Sequence, residues 1–259
     1  MTDIRNPFNY PLNPSFGKGI FRRRIRLEHG EGFVTGGVED CNHGFEVKIF
    51  HDGKTVTKIE GSPRRIPFST CSGAIEPMQV LVGVEVGLTS QQLAERINAR
   101  ANCTHWLDLA LLAIMHIPRI NEPVRQYDIA IPDEVDAPTT VTVLRNGLEV
   151  LKWQVQDWAV KEKAPLDGKT LFKGFSSWAN QLFPDANEKE AVFVLQKAYF
   201  VSRARRFNTN VMAGESEAAH ATMFDACFTY SEPRRSVAQR TAATTYDFTE
   251  TEEQLLKFL

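Results

Sequence analysis

Two alternating stretches, each interrupted by an X-Gly dipeptide, most restrict what this chain can fold into. In "GFEVKIFHDGKTVTKIEG", residues 44–61, Phe45, Val47 and Ile49 share one face and Asp52-Gly53 breaks the run. In "TTVTVLRNGLEVLKWQV", residues 139–155, the break is Asn146-Gly147. A period of two turns successive side chains to opposite faces. The dipeptides are those that tolerate the positive φ of tight hairpin turns, so each stretch predicts a β-hairpin. "IFRRRIRLEHG" alternates as well, which predicts a three-stranded antiparallel meander over 20–61. "QYDIAIP" leads into the second hairpin. The two hairpins are alike in length, but the pattern is too generic to establish an internal duplication.

Helical signals lie between and after the hairpins. Pro67 and "STCSG" precede a helix expected near 73–82, Ser90 is placed to cap "QQLAERINAR", and Asn102 or Thr104 to cap a helix running to about Met115. "GFSSWANQLF" reads as a short helix and "NEKEAVFVLQKAYFVSRARRF" as the longest one. Its apolar stripe is broad, which means burial on most sides. "CFTYSEPRRSVAQR" and "TTYDF" read as a closing strand and tail, with "TEEQLLKFL" a short last helix. No low-complexity linker divides the chain. The expectation is an extended Pro- and Asn-rich arm over 1–18, followed by a single α+β domain over 19–259. In that domain antiparallel hairpins and a meander pack with several helices.

The net charge of −2 on 259 residues leaves no basic field for a phosphate backbone, so no nucleic-acid partner is expected. No apolar run approaches bilayer span and the N-terminus has no signal-peptide core, so no membrane association is expected. Cys41, Cys71, Cys103 and Cys227 are scattered singly, which excludes a disulfide scaffold and speaks against a finger-type zinc site. The expected setting is cytoplasmic, with reduced thiols. No dinucleotide fingerprint, P-loop, nucleophile elbow, HExxH or EF-hand loop is present, so no cofactor or metal is expected. A homodimer is the default oligomer for such a chain.

The candidate chemistry starts after Asn102. At 100° per residue, His105, Asp108, Leu109, Leu112 and His116 share one helix face. His105 and Asp108 are spaced to meet, and a carboxylate beside an imidazole orients a general base. Cys71 and Cys103 stand at helix entrances, where the dipole favours a thiolate, with Thr70 beside Cys71. The plainer reading makes these cysteines small buried groups. A metal held by Cys71, Cys103, His105 and Asp108 has no spacing rule behind it beyond C-x-H. "VEDCNHGF" sets His43 and Glu39 near a strand end, as a pocket rim or a solvated turn. Arg65 and Arg203 are candidates to hold a carboxylate or phenolate, and Tyr199 to donate a hydroxyl. Phe68 and Trp106, with Phe45, are candidate walls of a ring-sized pocket.

"VTKIEGSPRRIPFSTCSGAIEPMQVLVGVEV" followed by "NCTHWLDLALLAIMH" resembles the bacterial family catalogued as domain of unknown function 2889. The family pattern is F-x-x-C-x-x-A, then L-x-G, then C-T-H-hydrophobic-x-[DE]-L. It falls here on Phe68, Cys71, Ala74, Leu81, Gly83, Cys103, Thr104, His105, Asp108 and Leu109. Many members carry Glu at the position of Asp108. The resemblance covers roughly residues 20–117. It implies a cytoplasmic protein and, through members linked to breakdown of aromatic compounds, a small aromatic substrate.

Together these readings lead to an expected function: a cofactor-independent enzyme of aromatic catabolism, a lyase releasing a small aldehyde by retro-aldol cleavage. The expected catalytic residues are His105, Asp108, Cys71, His43 and Tyr199. Arg65, Phe68, Thr70, Cys103, Trp106 and Arg203 are expected to contact the substrate. The alternatives are a non-catalytic small-molecule-binding or accessory protein, and a metal-dependent hydrolase.

Overall fold

Alternation specifies the first strand, β1 (Ile20–Gly30), in the computed structural model, which describes residues 10–216 and 226–259. Phe21, Arg23, Ile25 and Leu27 turn inward and are buried, whereas Arg22, Arg24 and Arg26 turn to the outer face. β2 (Phe33–Glu39), β3 (Gly44–His51) and β4 (Val56–Arg65) follow as an antiparallel meander. β5 (Val124–Pro132), β6 (Thr139–Arg145), β7 (Leu148–Gln156) and β8 (Ala159–Val160) form a second one. β1 and β5 pair antiparallel from Ile20↔Pro132 to Glu28↔Val124, joining the meanders into one eight-stranded sheet of order β4-β3-β2-β1-β5-β6-β7-β8. The α+β expectation holds.

The first meander has four strands, not three. The sequence reading passed over β2 because Gly36-Gly37 interrupts its apolar pattern, and glycine weakens a strand unless something must come close. Here something does. A Cβ on Gly36 would lie 3.2 Å from Leu109 of the covering helix, and one on Gly37 would lie 2.4 Å from Leu259 on the opposite face. The hairpin turns also differ from one another. Asn146 and Gly147 both have positive φ (51° and 82°). In the other loop only Gly53 does (86°), and Asp52 instead closes the turn by accepting from the Lys54 and Thr55 amides.

The helices are α1 (Ser90–Ala94), α2 (Thr104–His116), α3 (Phe175–Leu182), α4 (Ala186–Ser202) and a single turn, α5 (Arg234–Val237). Thr89, not Ser90, caps α1 through a reciprocal box with Gln92. α2 begins after Cys103 with no side-chain cap. Asp185 caps α4 by accepting from the Asn187 and Glu188 amides at 2.9 Å. The helix expected near 73–82 is two 3₁₀ segments, Ser69–Ile75 and Pro77–Leu81. The expected closing strand is irregular chain tied down by isolated bridges such as Phe68↔Arg240.

α2 covers the inner face of β1–β3, and α4 covers β5–β7. Trp106, Leu109, Ala110, Ala113 and Ile114 of α2 are fully buried. The large ones each stabilise the fold by about 1.5–3 kcal/mol. Asp108 near the start of α2 meets Lys197 near the end of α4, while Arg119 just past α2 meets Glu190 near the start of α4. The two helices therefore lie side by side and antiparallel. On the outer face the C-terminal segment lies across the first meander. Glu252 pairs with Arg22, and the Leu256 amide donates to Glu39 at 2.7 Å. The described part of the N-terminal arm is pinned as well: the Asn13 amide donates to the Arg206 carbonyl. Residues 1–9 of that arm lie outside the described residues. No described helix is long and apolar enough to cross a membrane.

Candidate active site

The turn between β2 and β3 faces the first turn of α2, and three polar side chains meet there. Asp40 opens the turn and is fully buried. Its Oδ1 accepts from the Asn42 and His43 amides at 2.8 and 3.0 Å, as an aspartate at the head of an Asx turn does. The same oxygen lies 3.1 Å from Nδ1 of His43. Oδ2 accepts two bonds from the Arg23 guanidinium, at 2.5 and 3.0 Å. Burial alone would raise the Asp40 pKa, but Arg23 and then His43 outweigh it and hold the carboxyl well below its usual range. An ionised Asp40 can only accept, so the His43 Nδ1 is the donor in that contact.

His105, in the first turn of α2, lies flat on His43: ring centroids are 3.8 Å apart and planes 25° apart. Its Nε2 is sealed from solvent and has no hydrogen-bond partner. Burial, then the neighbouring His43 and Arg23, holds its pKa well below the ordinary imidazole value, so it is neutral at pH 7. Phe45 lies beside both rings, its centroid 5.9 Å from His43 and 6.3 Å from His105, and packs against Trp106.

Arg65 holds this turn in place. It donates to the carbonyls of Asp40, Cys41 and His43, to Glu39 Oε1 at 3.1 Å, and to the Thr244 carbonyl at 2.6 Å. Its guanidinium stacks 4.2 Å over Tyr246. The residues that carry Asp40 and His43 are thus fastened to the C-terminal segment by one buried cation.

Of the residues expected from sequence, the structure brings together His43 and His105. Asp108 does not orient His105. It is partly exposed and pairs with Lys197 at 3.4 Å, because its position on the helix turns it toward α4. Arg65 is spent on carbonyls and Glu39 and has no fork left for a substrate. Tyr199 donates to Glu134 at 2.6 Å and Arg203 pairs with the same carboxylate at 2.9 Å. Burial and then Glu134 raise the Tyr199 pKa, so its hydroxyl stays protonated. These two border a hollow of ≈ 10 Å³, the size of one water. Phe68 belongs to a small satellite cluster with Cys71 and Ala238, under the Arg240 guanidinium. Thr70 and Cys71 both bond to Thr229, at 3.1 and 3.3 Å. Burial pushes the Cys71 thiol up to about 11 and raises Cys103 further, which removes the thiolate expected at a helix entrance. Trp106 is core, its indole donating to the Glu46 carbonyl at 3.1 Å. A larger hollow of ≈ 270 Å³ lies on the outer face, between Arg24, Arg26, Glu28 and the C-terminal leucines, and neither hollow is lined by His43 or His105.

Sequence reasoning missed Asp40 and Arg23, although the signal was present. In "FRRRIRL" Arg23 stands on the apolar parity of the strand, between Phe21 and Ile25. An arginine on a buried face needs a buried acid. Glu39, the acid taken for the pocket rim, points to the other face and serves Arg65.

Among the described residues, one carboxylate oxygen of Asp40 and one ring nitrogen each from His43 and His105 lie within 4.8 Å of one another, the spacing a metal ion could close. Two features work against that use. The Asp40 oxygens already accept five N–H contacts, two of them from a cation. Imidazole lone pairs lie in the ring plane, so two nearly parallel stacked rings point them side by side, not at a common centre.

No curated protein matches this chain. Residues 30–117, about a third of the chain and the stretch that carries Asp40, His43 and His105, match the model of the family described as "Protein of unknown function (DUF2889)".

Proposed function

We propose that the chain is a cytoplasmic acid–base enzyme of the lyase class that works without a cofactor. Its substrate is a small phenolic or aryl compound, from which it releases a small aldehyde by retro-aldol cleavage. The observation that carries the acid–base part is the His43–His105 stack, with one ring tied to a buried carboxylate and the other ending in an orphaned nitrogen. A buried polar atom without a partner costs about 1–3 kcal/mol relative to an apolar replacement. Packing alone would favour losing such a group. A substrate that displaced the side chains sealing this nitrogen would restore the missing bond.

The neutral imidazole removes the proton of a substrate hydroxyl. The bond between the carbinol carbon and its neighbour breaks, and the electron pair passes to the ring-conjugated carbon. There the imidazole returns the proton. Nothing is oxidised or reduced, and one imidazole both takes and gives the proton, so the step needs no other reactant. The aryl preference rests on the sequence resemblance and on Phe45 beside the pair.

Two other readings each have one observation in their favour. The sealed His105 Nε2 favours a non-catalytic binding or accessory protein. The 4.8 Å grouping with Asp40 favours a metal-dependent hydrolase. One experiment separates the three: aldehyde release from a panel of aryl compounds bearing a β-hydroxyl, with wild type, His105→Gln and His43→Gln, before and after chelation. The proposal expects release that chelation leaves unchanged and that both variants lose. Release that disappears with chelation supports the hydrolase class. Folded variants and wild type that merely bind the compounds support the accessory protein.

A further inference from the structure

α2 carries a second histidine at its other end, and it too meets histidines from the sheet. His116, the last residue of α2, is fully buried. Alternation puts His29 of β1 on the inward parity of Ile25 and Leu27, and His51 of β3 on that of Val47 and Ile49. The His51 amide donates to the Gly32 carbonyl of the β1–β2 hairpin at 3.0 Å, and the His29 amide to the Pro123 carbonyl between α2 and β5 at 3.0 Å. The His29 and His116 rings lie 4.6 Å apart between centroids, tilted by 33°. His29 Nε2 and both ring nitrogens of His51 and of His116 are closed to solvent with no hydrogen-bond partner. Nothing in the acid–base reading uses them.

Such a locus tolerates neutral rings but not charged ones. An imidazolium needs a partner for both of its N–H groups, and two of them side by side repel. His116 feels His29 from β1, Arg119 and Glu122 from the chain just past α2, and Arg125 from β5. His51 feels His29 and Asp52. The carboxylates among these groups are already committed. Glu122 pairs with Arg125 at 2.7 Å and accepts from Asn146 at 3.0 Å, and Asp52 accepts from the Lys54 and Thr55 amides. Arg119 and Arg125, both held by Glu190, add positive charge nearby. The hairpin tip, Glu31-Gly32, is exposed and contributes nothing to the core, and such ends are where local opening costs least. We propose that the three histidines form an acid-sensitive latch: protonation of His116 and His51 releases the β1–β2 hairpin end from the end of α2, while the His43–His105 end stays closed. Burial, then His29 and Arg119, holds His116 at about 4, and burial, then His29, lowers His51. The closed latch therefore refuses protons that the opened one accepts near ~6.5, so acid favours opening. Each proton taken up on opening shifts the open-to-closed ratio by about tenfold per pH unit between the two values. Opening also lets water reach the five nitrogens.

The test is amide hydrogen exchange on the full-length protein from about pH 7 to about pH 5, each rate divided by the intrinsic rate at that pH. It follows the His29 and His51 amides at the latch and the Asn42 and His43 amides at the Asp40 turn, in wild type, His116→Leu and His51→Gln. In wild type, protection at the latch should fall about tenfold or more over this range, with the Asp40 turn unchanged. His116→Leu should abolish the fall and His51→Gln should reduce it. Latch protection that does not respond to pH overturns the proposal. So does an equal fall at both ends, or a fall that either variant keeps in full. Should His116→Leu fail to fold, the partly exposed His51 decides the matter alone. Aldehyde release plays no part in this readout, so the latch and the acid–base site can fail independently.

Discussion

The two ends of α2 make different use of the same residue type. At the start of the helix His105 meets an imidazole that is bonded to Asp40, whose charge is balanced by Arg23. At its end His116 meets His29 with no carboxylate bonded to either ring. A carboxylate fixes which nitrogen holds the proton and so prepares a base. Without one, no bonded carboxylate fixes which nitrogen of either ring holds its proton. The difference lies in what the adjoining turn supplies: the β2–β3 turn opens with an aspartate, while the β1–β2 turn is Gly30-Glu31-Gly32.

The largest effect should come from breaking the charged end. Asp40→Ala strands the buried Arg23 guanidinium and should lower stability by about 3–5 kcal/mol, measured by denaturant unfolding at pH 7. A cost near zero would mean that Arg23 finds water or another acid. His105→Gln comes next. It removes the proton carrier but no protein hydrogen bond at Nε2, so aldehyde release should fall by roughly 10²–10⁴ while the thermal midpoint stays near wild type. A large stability loss with release intact would move this end to a structural role.

The histidine end should show itself through pH. In the unfolded chain imidazole protonates near ~6.5. In the fold His116 does so only at about 4, and His105 and His51 are lowered as well. Between those values the unfolded state binds more protons, so the stability of the protein should fall as pH drops from about 6.5 toward 4. Asp40 works in a lower window. Its depressed pKa leaves its contribution intact above ~3.9 and lost only as pH falls through the folded value. His116→Leu should flatten the upper slope and leave the lower one. An unchanged upper slope would assign it to other groups. The smallest effect belongs to Asp108→Asn. Its exposed pair with Lys197 contributes about 0–1 kcal/mol, and neither aldehyde release nor its pH profile should move. A changed profile would restore the pairing that helix spacing alone predicts.

That last residue shows how far the sequence could be read. His105 and Asp108 are within reach on an isolated helix, but α4 lies beside α2 and its lysine takes the carboxylate. Glu39 and Asp40 are neighbours in the chain, and strand parity sends them to opposite faces. Only the placement of Arg23 and Arg65 shows which acid belongs to which cation. The sequence suggests Tyr199 as a hydroxyl donor and Arg203 as a holder of a carboxylate or phenolate at the end of the longest helix, but Glu134, sixty-five residues upstream of Tyr199, claims both.

The sequence by itself determined the local periods. Alternation with X-Gly turns made the hairpins, the broad stripe made α4, and His105 and His116 had to share a face because eleven residues make just over three whole turns. Tertiary structure decided the partners. Pairing of β1 with β5 set the two helices side by side, and the turn after β2 was brought against the start of α2. Periodicity is set by bonds between near neighbours, whereas a buried charge finds its counterion through contacts that close only when distant segments pack.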